Sequence, residues 1–143
     1  MSKSTIEEEI NRTGELLQTT VGNSMEPMLK NRQNIVVLKK PKGILKKYDV
    51  TLYKRPNGQY VLHRVLKVRK NDYIICGDNQ WRKEIVPHEW IIGVLSRYYK
   101  NSNLISVDDE SYRKYLKTLV FRRKKLWLKA LPNRFIRKFR KVF

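Results

Sequence analysis

The chain has 143 residues and a formal net charge of +19, from 32 Lys or Arg against 13 Asp or Glu. This length fits one domain with a real hydrophobic core and leaves little room for a second globular unit. So large a positive charge favours association with a polyanion, either nucleic acid or an acidic membrane surface. The single cysteine, Cys76, excludes an intrachain disulfide and the usual structural zinc site, and we expect it to be a small buried strand residue.

Residues 1–20 are predicted to be an N-terminal helical segment. Ser4 and Glu7 have the spacing of a capping box, and apolar residues recur near helical spacing up to Leu17, which predicts a helix over residues 4–18. The segment lacks the run of ~7–15 apolar residues that a secretory signal needs. No other stretch approaches the ~18–20 apolar residues of a membrane-spanning helix. We therefore expect a protein that is cytoplasmic or peripheral to a membrane.

Residues 21–107 have the composition of short β-strands. Turn residues separate five runs rich in β-branched and aromatic residues: NIVVLKK, DVTLYKR, YVLHRVLKV, DYIICGD and WIIGVLSRYY. Between the second and third run, Pro56-Asn57-Gly58 predicts a hairpin turn. The predicted fold class is mainly β, in the form of a small, twisted, mostly antiparallel domain.

Residues 108–143 are predicted to be a basic amphipathic tail. After Asp108-Asp109-Glu110 the chain carries thirteen Lys or Arg and no acidic residue. Apolar residues at helical spacing from Tyr112 to Val120 predict a helix, which Pro132 should interrupt before a second basic segment. Two interpretations stay open. The helix either lies in an anionic lipid headgroup layer or packs its tyrosines and leucines on the β domain.

Ser24 lies in VGNSMEPML, between a Gly-Asn pair and a Met-Glu-Pro turn. Taken alone, it is a surface hydroxyl before a bend, because a serine becomes a good nucleophile only when a base removes its proton. The chain has two histidines. His63 lies within a predicted strand, where a structural role is the simpler interpretation. His88 follows a proline and is expected to be a loop residue with no chemical role.

Four segments between residues 20 and 97 follow one another in the order of a known enzyme family. They are VGNSMEPML, KYDVTLY, VLHRVLKV and CGDNQ. They resemble the Gly-x-Ser-Met-x-Pro, Gly-Asp-Val/Ile, His-Arg-Val and Gly-Asp-Asn segments of type I signal peptidases. The resemblance is to the Ser-His branch of the endoplasmic reticulum, archaea and sporulating Gram-positive bacteria. The peptidase domain of self-cleaving SOS repressors is related to this family.

The resemblance implies a serine endopeptidase that cleaves a signal, leader or precursor peptide, with no cofactor and no metal. Ser24 would be the nucleophile and His63 the general base, whose ordinary pKa of ~6.5 suits proton transfer near neutral pH. Arg64 should point to the opposite face of its strand. An acidic residue orients the base in this branch, and both Asp78 and Glu84 stay open for that role.

Two positions depart from the family pattern. Gly22 stands where a serine hydroxyl often helps to bind the oxyanion, so the oxyanion hole would depend on the backbone N–H of Ser24 and a second backbone donor. Tyr48 replaces the family's glycine before Asp49. In the family, an extended substrate adds to a sheet edge and presents small side chains to shallow pockets.

The partners expected from the sequence are a peptide or precursor protein and an anionic membrane, which the basic tail would contact peripherally. Nucleic acid is less favoured, because the short acidic N-terminus leaves no room for the helix-turn-helix that the related repressors carry. The alternative function is a basic nucleic-acid- or membrane-binding regulatory module on a catalytically inactive peptidase-like scaffold. Vesicle binding set against a DNA mobility shift separates these partners.

Overall fold

The computed structural model describes residues 5–130, except for the side chains of Leu126 and Ala130. Within this range the elements follow the order α1 (Ile6–Thr13), β1 (Glu15–Thr19), β2 (Asn34–Lys39), β3 (Val50–Lys54), β4 (Tyr60–Val68), β5 (Asp72–Cys76), β6 (Glu84–Pro87), a short 3-10 helix (His88–Trp90), β7 (Ile91–Lys100), β8 (Asn103–Ser106) and α2 (Glu110–Ala130).

The eight strands form one antiparallel sheet in the order β1-β2-β7-β3-β4-β5-β6, and β8 pairs with β7. The mainly β, antiparallel fold predicted from the sequence is therefore confirmed. Each of the five predicted runs contains one strand, and Cys76 is buried at the end of β5. The sequence did not reveal β1, β6 and β8. Residues 15–18 of β1 were assigned to the N-terminal helix, and β6 and β8 have only four residues each, which carry too little alternation to stand out.

The N-terminal helix is shorter than predicted. It begins after Thr5, whose side chain accepts from the N–H of Glu8 while the Glu8 carboxylate accepts from the N–H of Thr5. Gly14, with φ of +82°, ends the helix in a left-handed cap. The chain then forms β1 along β2. The prediction of a helix over residues 4–18 was wrong in its second half, because a glycine cap and strand pairing outweigh the apolar spacing.

The first half of α2 packs on the sheet. Tyr112 belongs to the main hydrophobic core, Tyr115 and Leu116 pack against this core, and Leu119 is buried. The second half is more open, with Phe121 exposed over 72% of its surface. The packing interpretation of the basic helix therefore holds for its first half, whereas Pro132 and the segment after it lie outside the described residues.

The β3–β4 hairpin decides which side chains share a face of the sheet. The turn predicted from Pro56-Asn57-Gly58 joins the two strands, and Gly58 has φ of +89°. Thr51 lies opposite His63 in the register. Since strand side chains alternate, Tyr53 shares the face of His63 and lies diagonally across from it.

Candidate active site

Ser24 and His63 meet although they lie 39 positions apart in the chain. Ser24 lies in the loop between β1 and β2, and His63 lies in the middle of β4. The Ser24 Oγ and the His63 Nε2 are 3.0 Å apart. The imidazole is buried, whereas the serine is half-buried. When the imidazole carries its proton on Nδ1, the serine hydroxyl donates to Nε2, which is the arrangement that a general base requires.

The segment Gly77-Asp78-Asn79 supports the backbone of the serine. The Asn79 N–H donates to the carbonyl of Ser24 at 2.8 Å, and the Asn79 side chain donates to the carbonyl of Asn23 at 3.2 Å. A Cβ atom at Gly77 would lie only 2.6 Å from the Ser24 carbonyl oxygen. Only glycine therefore fits at position 77, because this approach is closer than real Cβ atoms tolerate.

The second nitrogen of His63 faces the phenol of Tyr53. The His63 Nδ1 and the Tyr53 Oη are 3.5 Å apart, which is long for a hydrogen bond, so this contact is weak. The phenol donates to the Glu84 Oε1 at 2.7 Å. Because its proton points to the carboxylate, the phenol oxygen offers a lone pair to an N–H at Nδ1. Burial, with Glu84 alongside, raises the pKa of Tyr53, so the phenol keeps its proton.

Glu84 lies between the tyrosine and an arginine. Arg55 donates from Nε to the Glu84 Oε2 at 3.0 Å and from Nη2 to the Glu84 Oε1 at 2.8 Å. This hydrogen bonding lowers the pKa of Glu84 against the opposing effect of burial, so the carboxylate is ionised. Of the two acidic candidates that the sequence left open, Glu84 is therefore brought towards His63, but through Tyr53 and not directly.

Asp78, the other candidate, is engaged elsewhere. It forms a bidentate pair with Arg64 at 2.7 and 2.8 Å, and both side chains are almost completely buried. Tyr115 of α2 donates to the same carboxylate at 2.8 Å. As the direct partner of the histidine, Asp78 is not supported, because its oxygens are occupied by Arg64 and Tyr115. Arg64 contacts a different set of residues from His63, as the alternation of β4 predicts.

The surroundings of His63 keep its imidazole neutral. Burial is the largest effect and lowers the pKa of the histidine, and the positive charge of Arg55 lowers it further. The negative charges of Glu84 and Asp78 raise the pKa of His63, but by less than burial and Arg55 together lower it. The pKa of His63 therefore lies below its ordinary value, and at neutral pH the ring is an unprotonated base.

The serine and histidine open into a cavity of about 410 Å³. Its lining includes Gln18 and Thr19 at the end of β1, and five aliphatic residues: Val36, Leu38, Leu52, Val61 and Leu62. A second cavity of about 650 Å³ is also lined by His63, together with the loop before β6. Another cavity, about 870 Å³, has neither Ser24 nor His63 among the described residues that line it.

The two departures from the family pattern have different structural consequences. Tyr48 has φ of +75°, so it adopts the left-handed conformation that favours a glycine, and its carbonyl accepts from Arg64. Gly22 has φ of +87°, and its N–H donates to the Asn31 side chain. Within the described residues, the N–H of Ser24 has no protein acceptor.

Sequence reasoning did not single out Tyr53 or Arg55. A signal for Tyr53 was present, because a hairpin turning at Pro56-Asn57-Gly58 sets Tyr53 diagonally across from His63. His88, which was expected to have no chemical role, lies in the 3-10 helix with its ring against Tyr73 at 4.4 Å.

Comparison with models of known protein families gives no match, and no curated protein matches the chain significantly. Between residues 5 and 130, none of the helices combines the length and the hydrophobicity needed to cross a bilayer.

Proposed function

We propose that this protein is a serine endopeptidase of the signal-peptidase-like type, which cleaves an extended signal, leader or precursor peptide. The observation that carries the proposal is the 3.0 Å contact between the Ser24 Oγ and the Nε2 of a buried, neutral His63. Support also comes from the cavity beside the pair, which gives a peptide access to the serine.

In the first step, the Ser24 Oγ attacks the carbonyl carbon of the scissile peptide bond as its proton passes to the His63 Nε2. The negative charge on the carbonyl oxygen is stabilised by the N–H of Ser24 and by a second donor. The protonated imidazole then gives its proton to the leaving nitrogen as the C–N bond breaks. An ester of Ser24 and a peptide with a free amine result.

In the second step, water replaces the amine. The neutral His63 removes a proton from the water as its oxygen attacks the ester carbonyl. The Ser24 oxygen leaves and recovers a proton from the imidazole, which releases the new carboxyl end of the substrate. Both steps require Nδ1 of His63 to keep its proton. The Tyr53 hydroxyl supports this tautomer, because it donates its own proton to Glu84 and its oxygen faces Nδ1 as an acceptor.

An extended peptide fits the edge of β1. This strand is the end strand of the sheet order and leads directly into the Ser24 loop. A peptide added there by main-chain hydrogen bonds would present alternate side chains to the aliphatic residues that line part of the 410 Å³ cavity. We therefore expect small or aliphatic residues before the scissile bond.

The exposed side of α2 supports peripheral contact with an anionic membrane. Its second half carries Lys124, Lys125 and Lys129 together with the exposed apolar residues Phe121 and Leu128. Co-sedimentation with vesicles containing anionic lipid checks this part of the proposal. Binding to DNA in a mobility shift without vesicle binding would favour the nucleic-acid module instead.

The decisive experiment is cleavage of a panel of precursor peptides by the full chain. His63→Ala should reduce kcat by at least the ~10²–10⁴-fold typical of lost proton transfer. Ser24→Ala removes the nucleophile and should reduce kcat at least as much. Ser102→Ala is the matched control, since Ser102 lies in an exposed turn between β7 and β8. A serine-reactive phosphonate probe should label the wild type and the control but not Ser24→Ala.

Cleavage that survives both active-site substitutions would contradict the proposal. Absence of both cleavage and labelling in the wild type would favour the inactive scaffold that binds a polyanion.

A further inference from the structure

We propose that the basic helix α2 is a positioning element of the active site, through Arg122 and Arg123. This inference rests on the proposed peptidase function and deepens it. The family resemblance ends near residue 97, so the helix lies outside the part of the chain that carries the four motifs. Its contacts nevertheless reach the loop that supports the nucleophile.

Both arginines donate to backbone carbonyls of one loop. The Arg123 Nη1 donates to the carbonyl of Gly77 at 3.2 Å and to the carbonyl of Gln80 at 2.8 Å. The Arg122 Nη2 donates to the carbonyl of Asp78 at 2.9 Å. Three of the four carbonyls between residues 77 and 80 are thus held from one turn of α2.

The loop of residues 77–80 also contacts the backbone of Ser24. Its Asn79 N–H donates to the Ser24 carbonyl, and a Cβ atom at Gly77 would lie 2.6 Å from that carbonyl oxygen. Tyr115, two turns before the arginines, adds a hydrogen bond to the Asp78 side chain. A shift of the loop therefore moves the serine, and a misplacement of about 1 Å costs about 10²-fold in rate.

The basic residues of α2 fall into two groups. Arg122 and Arg123 are partly buried and point into the loop, whereas Arg113 and Lys117 on the same helix are exposed. If α2 acted only through its total positive charge, all four residues would affect catalysis equally. The proposal instead assigns the effect on catalysis to the two inward arginines.

The test compares Arg122→Gln/Arg123→Gln with Arg113→Gln/Lys117→Gln, each in the full chain and each losing two positive charges. With one precursor peptide, the inward pair should lose about 10- to 100-fold in kcat with little change in KM, and phosphonate labelling of Ser24 should slow in parallel. The exposed pair should keep the wild-type kcat. Arg122→Lys/Arg123→Lys should recover part of the loss, since lysine can still donate to a carbonyl.

Amide hydrogen exchange of residues 77–80 gives a readout that does not depend on activity. It should accelerate in Arg122→Gln/Arg123→Gln and not in the exposed pair. Equal kcat in the two double variants, with a cleaving wild type, would overturn the inference and leave the peptidase function intact. If the wild type cleaves nothing, the peptidase function fails, and unchanged exchange would then overturn the inference as well.

Discussion

Tyr53 faces the Nδ1 of His63, where the sequence predicted an acidic side chain. A phenol whose proton is directed to Glu84 can accept from Nδ1–H without carrying a charge of its own. The 3.5 Å separation makes this a weaker orienting contact than a direct carboxylate bond. We therefore expect kcat to depend less on Tyr53 than it depends on the carboxylate of a triad in which that carboxylate contacts the histidine directly.

Tyr53→Phe tests this bridge, because it removes the hydroxyl and keeps the ring. We expect kcat to fall by roughly 10-fold with KM little changed, well below the about 10⁴-fold loss when a directly bonded aspartate is replaced. Steady-state cleavage of one peptide gives both constants. Tyr99→Phe is the control, since Tyr99 lies on β7 outside the cavity that holds Ser24 and His63. An unchanged kcat in Tyr53→Phe would contradict the bridging role.

The charges around His63 predict two opposite pH shifts. The proposed peptidase activity needs the neutral imidazole, so we expect kcat/KM to fall as the pH drops through the His63 pKa, below its ordinary ~6.5. Glu84→Gln removes a charge that raises this pKa, so the acidic limb should move to lower pH. Arg55→Gln removes a charge that lowers it, so the limb should move to higher pH.

The pH dependence of kcat/KM in the two variants checks these signs. Shifts in the same direction for both variants would show that the limb reports another group, because the two charges act on His63 with opposite sign.

At the scale of elements, the loop after β5 helps to fix the position of Ser24, because it packs directly against the Ser24 loop. Gly77→Ala should push the Ser24 carbonyl away, since the added Cβ would lie 2.6 Å from it. We expect a loss of about 10²-fold in kcat, as for a misplacement near 1 Å. Asn79→Ala should lose less, because its backbone N–H still bonds to Ser24.

Phosphonate labelling of Ser24, combined with a thermal melt, separates misplacement of the serine from unfolding. Full labelling of Gly77→Ala at the wild-type rate would show that the serine does not depend on this approach.

At the scale of the whole molecule, the Arg64–Asp78 pair links β4, the loop after β5 and α2. Arg64 also donates to the carbonyl of Tyr48 and the hydroxyl of Tyr112, so all its partners are internal. Removing one member of such a buried pair leaves an uncompensated charge. Asp78→Asn should therefore lower the free energy of unfolding by about 3–5 kcal/mol.

Glu84→Gln is the matched comparison, because Glu84 and Arg55 are both about 30% exposed and their pair should contribute about 1 kcal/mol or less. Urea unfolding followed by circular dichroism measures both variants. If Glu84→Gln lowered the free energy of unfolding more than Asp78→Asn, this would contradict the conclusion that Asp78 stabilises the fold while Glu84 belongs to the candidate site.

Much of this organisation could be predicted because it depends on neighbours in the chain. The runs that became β2, β3, β4, β5 and β7, the hairpin turn at Gly58 and the helix from Tyr112 onwards all follow from local alternation, turn residues and spacing. The end of α1 was missed because apolar spacing across Gly14 suits a helix, whereas a glycine cap and pairing with β2 decide the structure.

By itself, the sequence determined the β class of the fold and the candidates Ser24, His63, Asp78 and Glu84. Only the tertiary structure distinguished the roles of the two acidic residues. Asp78 forms an ion pair with Arg64, whereas Glu84 is connected to His63 through Tyr53. It also brought α2 onto the loop behind the serine. These contacts join residues 10 to 43 positions apart. The β3–β4 hairpin sets the Tyr53–His63 contact, whereas the others depend on the strand order and on where the helix packs, which no local pattern encodes.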